Sequence, residues 1–171
     1  MPTDLDSCTP TPRPSVVAIR PLGAADEERW RSLWAGYNTS YGAEVPEVVT
    51  RTTWRRLLDP ASTMFCLVAE TNGFVAGFAN CVLHDGTWTS TASCYLEDLF
   101  VEEGSRRRGI ATLLMDRLLG ETARQGWSRF YWHTLATNPA RSLYDRYASA
   151  DAYVRYRISA RRAAALGSRE G

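Results

Sequence analysis

The stretch Val101-Glu102-Glu103-Gly104-Ser105-Arg106-Arg107-Arg108-Gly109-Ile110-Ala111 constrains this chain more than any other. An apolar run over residues 95–101 leads into it, and an amphipathic run leaves it. A strand that turns this tightly into a helix aims backbone N–H groups and a helix N-terminus at one point. Such a point attracts a phosphate or pyrophosphate. Arg106, Arg107 and Arg108 add positive charge beside it. Gly109 permits close backbone approach, and Ala111 keeps the helix start small. Taken alone, a basic turn is as readily a solvated helix cap. The rest of the chain has to decide.

At 171 residues the chain is expected to form one domain over 15–159. A Pro-rich disordered tail is expected at 1–14 and a flexible Arg/Ala-rich end at 160–171. Apolar content of 44% and charged content of 23% are ordinary for a globular protein. A net charge of +1 makes no case for nucleic acid or an anionic membrane as partner. No apolar run reaches the ~18 residues of a spanning helix. The first residues lack the basic start and apolar centre of a secretory leader, so a cytoplasmic location is expected. The 4 cysteines, Cys8, Cys66, Cys81 and Cys94, form no CxxC pair, and His84 and His133 stand at no metal-ligand spacing from them. No metal site is expected. Cys66, Cys81 and Cys94 lie in strand-like runs and read as small buried apolar residues. All 20 positive side chains are arginine. Without a lysine, a nucleotide-binding P-loop is excluded.

Periodicity predicts a strand at 16–20, then helices at 24–37 and 46–58. Strands follow at 64–69 and 74–83, joined across Asn72-Gly73, a residue pair suited to a tight hairpin turn. A further strand is expected at 91–101. The long helix at 110–125 carries an apolar stripe of Ile110, Leu113, Leu114, Leu118 and Leu119, with Gly126 as its C-cap. A strand at 129–135, a helix at 139–147 and a last strand at 153–159 complete the order. Hairpins followed by a strand–helix–strand crossover predict an α/β (α+β) fold with a mixed sheet and helices on both faces.

Arg106-x-x-Gly109-x-Ala111, behind a strand ending in Val101, resembles the acetyl-CoA signature of the GCN5-related N-acetyltransferases, the GNAT superfamily. The element order matches that fold over residues 16–159. The segment 132–156 is loosely like the Hpa2-type acetyltransferases. The resemblance implies a central mixed sheet of about six to seven strands flanked by about four helices. It implies acetyl-CoA as the acyl donor. The backbone of Arg106, Arg107, Arg108, Gly109, Ile110 and Ala111 would hold the pyrophosphate, and Leu99, Phe100 and Val101 would pair with the pantetheine arm. Asn138, in Asn138-Pro139-Ala140-Arg141-Ser142-Leu143-Tyr144, matches the family's pantetheine-binding Asn. Tyr144 matches the Tyr that faces the thiol and protonates it as a general acid. Two structural roles remain open for these residues: Asn138 as a helix N-cap and Tyr144 as a core aromatic. Many members continue with Gly-Phe after the Tyr, whereas here the Gly is absent and the loop is longer, with Tyr153 in the Phe place.

An amine must lose a proton before it attacks a thioester. Glu97 and Asp98 adjoin each other on the strand leading to the turn, and alternation sends them to opposite faces. The resemblance favours Glu97 as base with Asp98 in support. Trp34, Tyr37, Tyr41, Glu44 and Trp88 are the aromatic and acidic residues available to bind a cationic acceptor. The expected function is acetyl transfer to a primary amine of a small molecule by direct attack in a ternary complex. The alternatives are a protein lysine or N-terminal acetyltransferase and a non-catalytic acyl-CoA-binding module. Related folds often form homodimers through C-terminal strands.

Overall fold

The computed structural model describes residues 16–160, 162 and 163, which divide into two units between His133 and Thr134. The expected tail at 1–14 and most of the C-terminal end lie outside the described residues. In the first unit the chain runs β1 (Val17–Pro21), α1 (Glu27–Ser40), α2 (Glu47–Leu58), β2 (Met64–Thr71), β3 (Phe74–His84), β4 (Ser93–Val101), α3 (Ile110–Gln125) and β5 (Arg129–Trp132). The strands form one sheet in chain order, β1-β2-β3-β4-β5. Neighbours are antiparallel except the last pair, because α3 carries the chain back across the sheet before β5 begins.

The turn chemistry explains the hairpins. Asn72 and Gly73 both take positive φ, 52° and 80°, as a tight two-residue turn requires. Gly126, at φ 67°, ends α3 in the left-handed conformation common at helix C-termini. One sheet face packs against α1 and α2. There Trp30 and Phe78 are fully buried with Leu33, Trp54, Cys66 and Val68. The other face packs against α3 through Ile110, Leu114, Met115 and Leu118. Cys66, Cys81 and Cys94 are buried free thiols, as their strand-like surroundings predict.

Several expectations are corrected. The described residues contain five strands, not six to seven. Residues 153–159 form no strand: Tyr153, Val154, Tyr156 and Ile158 are 85%, 72%, 91% and 53% exposed. An alternating pattern becomes a strand only where another backbone completes its ladder. The helix expected at 139–147 is the short α4 (Arg141–Tyr144), followed by turns. At the start of the expected C-terminal tail, the Ala163 N–H donates to Ser159 O at 2.9 Å. Leu113 and Leu119 are 38% and 40% exposed, and the stripe of α3 runs through Met115 instead.

β3 and β4 approach so closely at Gly77 that a Cβ there would lie 2.6 Å from Phe100 O. Gly77→Ala should therefore cost about 1–3 kcal/mol in urea unfolding. Gly120, inside α3, has open space around it, and Gly120→Ala should gain about 0.5–1 kcal/mol from helix propensity. Equal effects at the two positions would refute the close approach.

Candidate active site

After Val101 the chain makes a single 3-10 turn over Glu103–Ser105 and then extends at Arg106. Arg106 Nε donates to Val101 O at 3.0 Å, and the guanidinium lies 5.8 Å from the centre of the Phe100 ring. Both contacts fold the arginine back onto the strand end. Arg107 follows with φ 60°, a strained value for a side-chain-bearing residue, and Gly109 with φ 78°. Two left-handed residues within three swing the chain into α3. A Cβ at Gly109 would meet nothing within 4 Å, so its backbone angle, rather than crowding, calls for glycine. Leu113 N–H bonds Gly109 O at 3.0 Å, and the N–H groups ahead of it point out of the helix end. Arg106, Arg107 and Arg108 are all exposed there. Backbone donors at a helix start, flanked by three guanidinium groups, suit a pyrophosphate.

The approach to this turn is shaped by a bulge in β4. Asn80 pairs with Asp98 and Cys81 with Leu96, so Glu97 is the extra residue. Simple alternation therefore fails at the pair Glu97 and Asp98. Asn80 and Val82 share a face of β3, so their partners Asp98 and Tyr95 share a face of β4 despite their odd spacing. β5 accompanies β4 only from Ser93 to Leu96, while β4 continues to Val101. Beyond Leu96 the two strands part. Leu99, Phe100 and Val101 lie on that continuation, between the bulge and the Arg/Gly turn.

Asp98 is held on both sides. Asn80 Nδ2 donates to its carboxylate at 3.1 Å, and the Tyr37 hydroxyl of α1 donates to it as well. Burial pushes the Asp98 carboxyl above the usual carboxylate range, and the two bonds oppose that rise only in part. Burial and the adjacent carboxylate push the Tyr37 phenol well above its usual range. Glu97 is exposed. Asn80, 1% exposed, was missed in the sequence, although a lone amide in an apolar strand signals a polar partner.

The residues expected to meet the acceptor divide. Tyr37 reaches Asp98. Trp34 belongs to the packing of α1: it stacks on Trp30 and Tyr37, both at 5.6 Å, and its Nε1 donates to Thr50 Oγ1 at 3.2 Å. Tyr41 packs its ring 5.0 Å from that of Tyr37 and is half exposed. Glu44 and Trp88 stand exposed on loops. In the second unit, Asn138 Oδ1 accepts the Ala140 N–H at 2.9 Å, which orders the turn into α4 without capping the helix proper. Tyr144, half-buried, ends α4. Among the described residues no group of three His, Cys, Asp or Glu side chains could hold a metal ion, and no helix is long and apolar enough to cross a membrane.

Asp98 binds its proton more tightly in the folded chain than in the unfolded one. Its contribution to stability is complete below about pH 4 and is lost as pH rises through the folded value. Asp98→Asn removes that loss. Melting temperatures compared from about pH 4 to 8 should show the variant gaining on the wild type as pH rises. A difference independent of pH would refute the burial effect.

Residues 28–148 match the profile of the Acetyltransferase (GNAT) family. The chain is similar to the D-amino-acid N-acetyltransferase HPA3 of Saccharomyces cerevisiae, 28% identical over 120 residues that span 69% of this chain and 74% of the yeast protein. Its fold is similar to a ribosomal-protein-alanine N-acetyltransferase from Brucella melitensis biovar Abortus 2308, at TM-score 0.72 and 23% identity, over 84% of this chain and 99% of that one. It is similar also to the aminoglycoside N-acetyltransferase AAC(6')-Iy in complex with CoA, at TM-score 0.71 and 22% identity, over 86% and 98% of the two chains. The family match covers the bulged strand, the Arg/Gly turn and the Asn138–Tyr144 segment together, and the chain belongs to the acetyltransferase (GNAT) family, with acetyl-CoA as acyl donor.

Proposed function

We propose that this N-acetyltransferase acetylates a primary amine of a small molecule by direct attack on bound acetyl-CoA. The observation that carries the reading is the parting of β4 from β5 beside the Arg/Gly turn, with two carboxylates at the bulge where the strands separate. An anion site at one end of an opening and a proton acceptor at the other suit a phosphorylated thioester donor and an amine. The yeast relative, a D-amino-acid N-acetyltransferase by name, supports a small acceptor.

The roles follow from the chemistry. The backbone of Arg106, Arg107, Arg108, Gly109, Ile110 and Ala111 binds the pyrophosphate, and Leu99, Phe100 and Val101 bind the pantetheine arm through their backbone. Asn138 binds the same arm, the role that the family's Asn has at this place in the motif. Glu97 takes the proton that the ammonium must lose, and Asp98, fixed by Tyr37 and Asn80, keeps the bulge in shape. The amine nitrogen then bonds the thioester carbon, the C–S bond breaks, and Tyr144 protonates the departing thiolate. Tyr37, Tyr41, Glu44 and Trp88 contribute to the acceptor side, while the packing of Trp34 gives it a supporting place behind Tyr37. An acetyl-cysteine intermediate is disfavoured, since burial pushes the Cys66 and Cys81 thiols up and away from the reactive thiolate.

Thiol release from acetyl-CoA across amino acids, aminoglycosides, spermidine and a histone peptide tests the reading. A small amine should be the best acceptor. Glu97→Gln and Tyr144→Phe should each lower kcat by roughly 10²-fold, leaving the KM for acetyl-CoA unchanged. Preference for the peptide would overturn the small-molecule reading. The pair Arg107→Ala and Arg108→Ala, whose guanidinium groups lie exposed, should raise the KM for acetyl-CoA about tenfold and steepen no other parameter. An unchanged KM would show that the turn binds through its backbone alone.

A further inference from the structure

We propose that Tyr95, Tyr131, His84 and His133 form the surface on which the non-reacting body of the acceptor lies, and that this surface selects a ring over a linear chain. The inference rests on the acetyl-transfer reading above and adds the shape of the substrate to it.

The four residues come from three neighbouring strands and the residue just past β5. Tyr95 of β4 and Tyr131 of β5 are direct partners in the parallel ladder. Their rings stack with centres 5.1 Å apart at 28°. His133 stands edge-on to both, 5.4 Å from Tyr95 and 5.8 Å from Tyr131. His84, at the end of β3, meets Tyr131 at 5.8 Å and 90°. The whole sequence contains 2 histidines, and both are in this group.

Hydrogen bonding fixes the arrangement. His84 Nδ1 lies 2.8 Å from Asp85 O. A carbonyl only accepts, so Nδ1 carries a proton, and in the neutral ring Nε2 accepts the Tyr131 O–H at 2.8 Å. The phenol is thereby turned so that its oxygen still offers lone pairs.

Position ties the group to the reaction. Tyr95 shares a face of β4 with Asp98, as the bulge requires. The Tyr95–Tyr131 pair is the next-to-last rung before the two strands part after Leu96 and Trp132. None of the four belongs to the core under α1 and α2. The tyrosines are half-buried and both imidazoles exposed. An aromatic layer held this rigidly, yet left in part to solvent, offers broad ring surface with polar atoms at its edges. The C–H face of a sugar or the π face of an aromatic ring can lie flat on it, with a nearby ammonium attracted by the tyrosine π-systems. A linear polyamine covers little of such a surface.

The test uses the full chain with three amines: 2-phenylethylamine for the aromatic ring, glucosamine for the sugar ring and spermidine for the linear chain. At least one ring amine should have a lower KM than spermidine, and which one identifies the source of the ring. Tyr131→Leu should raise that KM about tenfold while the KM for acetyl-CoA and for spermidine holds, and Tyr131→Phe should restore most of the loss. With coenzyme A present and no transfer possible, the ring amine should shift both histidine ring signals in NMR, assigned through His84→Gln. Unmoved signals, or Tyr131→Leu raising every KM alike, would overturn the proposal. Histidine shifts without transfer to any amine would leave the surface standing and refute the acetyl-transfer reading of this site. Transfer with unmoved signals would refute the surface alone.

Discussion

The extra residue in β4 is the constraint on which the site depends. A bulge adds one residue to one strand, so the strand bends and its faces change phase. Here the phase change falls at Glu97, between Leu96 and Asp98. It brings Tyr95 and Asp98 to one face. It also coincides with the end of β4–β5 pairing, so the strand leaves its parallel neighbour where the carboxylates begin. The turn that follows inherits its position from that departure. Arg106 reaches back to Val101 O and over Phe100, and thereby locks the turn to the strand that has just been redirected.

The bulge is anchored from two sides. Gly77 lets the Phe100 backbone come within a distance that any Cβ would block. Asp98 is half-buried between an amide from β3 and a phenol from α1. Removing a carboxylate from water is costly unless donors meet it, and these two donors offset part of the cost. α1 therefore does more than cover the sheet: its Trp30 and Leu33 bury in the core, while Tyr37, further along the helix, reaches the carboxylate. The aromatic ladder Trp30–Trp34–Tyr37–Tyr41 connects core to surface along one helix. Rigidity and chemistry thus meet at a single strand segment.

Acetyl transfer asks little covalent chemistry of a protein. It needs the donor held, the amine deprotonated and the thiolate protonated. In the first unit, the helix start of α3 offers backbone donors and exposed arginines suited to an anion, and the bulge in β4 sets two carboxylates side by side. Burial raises the Cys66 and Cys81 thiols, and a thiol kept protonated is a poor nucleophile.

Local sequence determined the elements whose causes are local. Asn72-Gly73 made the hairpin, and Gly109 and Gly126 bound α3 at the residues that periodicity predicts, because left-handed angles favour glycine. The Arg/Gly turn and the Asn138–Tyr144 segment were legible as motifs, and the family follows from them. The strand expected at 153–159 shows the limit: its alternation is real, but a ladder needs a second backbone that no pattern in one segment supplies. Alternation, the only rule a single strand carries, sends Glu97 and Asp98 to opposite faces. A bulge belongs to two strands at once, and register is a property of their pairing. The meeting of Asp98 with Asn80 and Tyr37, and of the two tyrosines with the two histidines, joins residues distant in the chain. Sequence named the chemistry available to this protein, and only the pairing of its strands decided which side chains share a face.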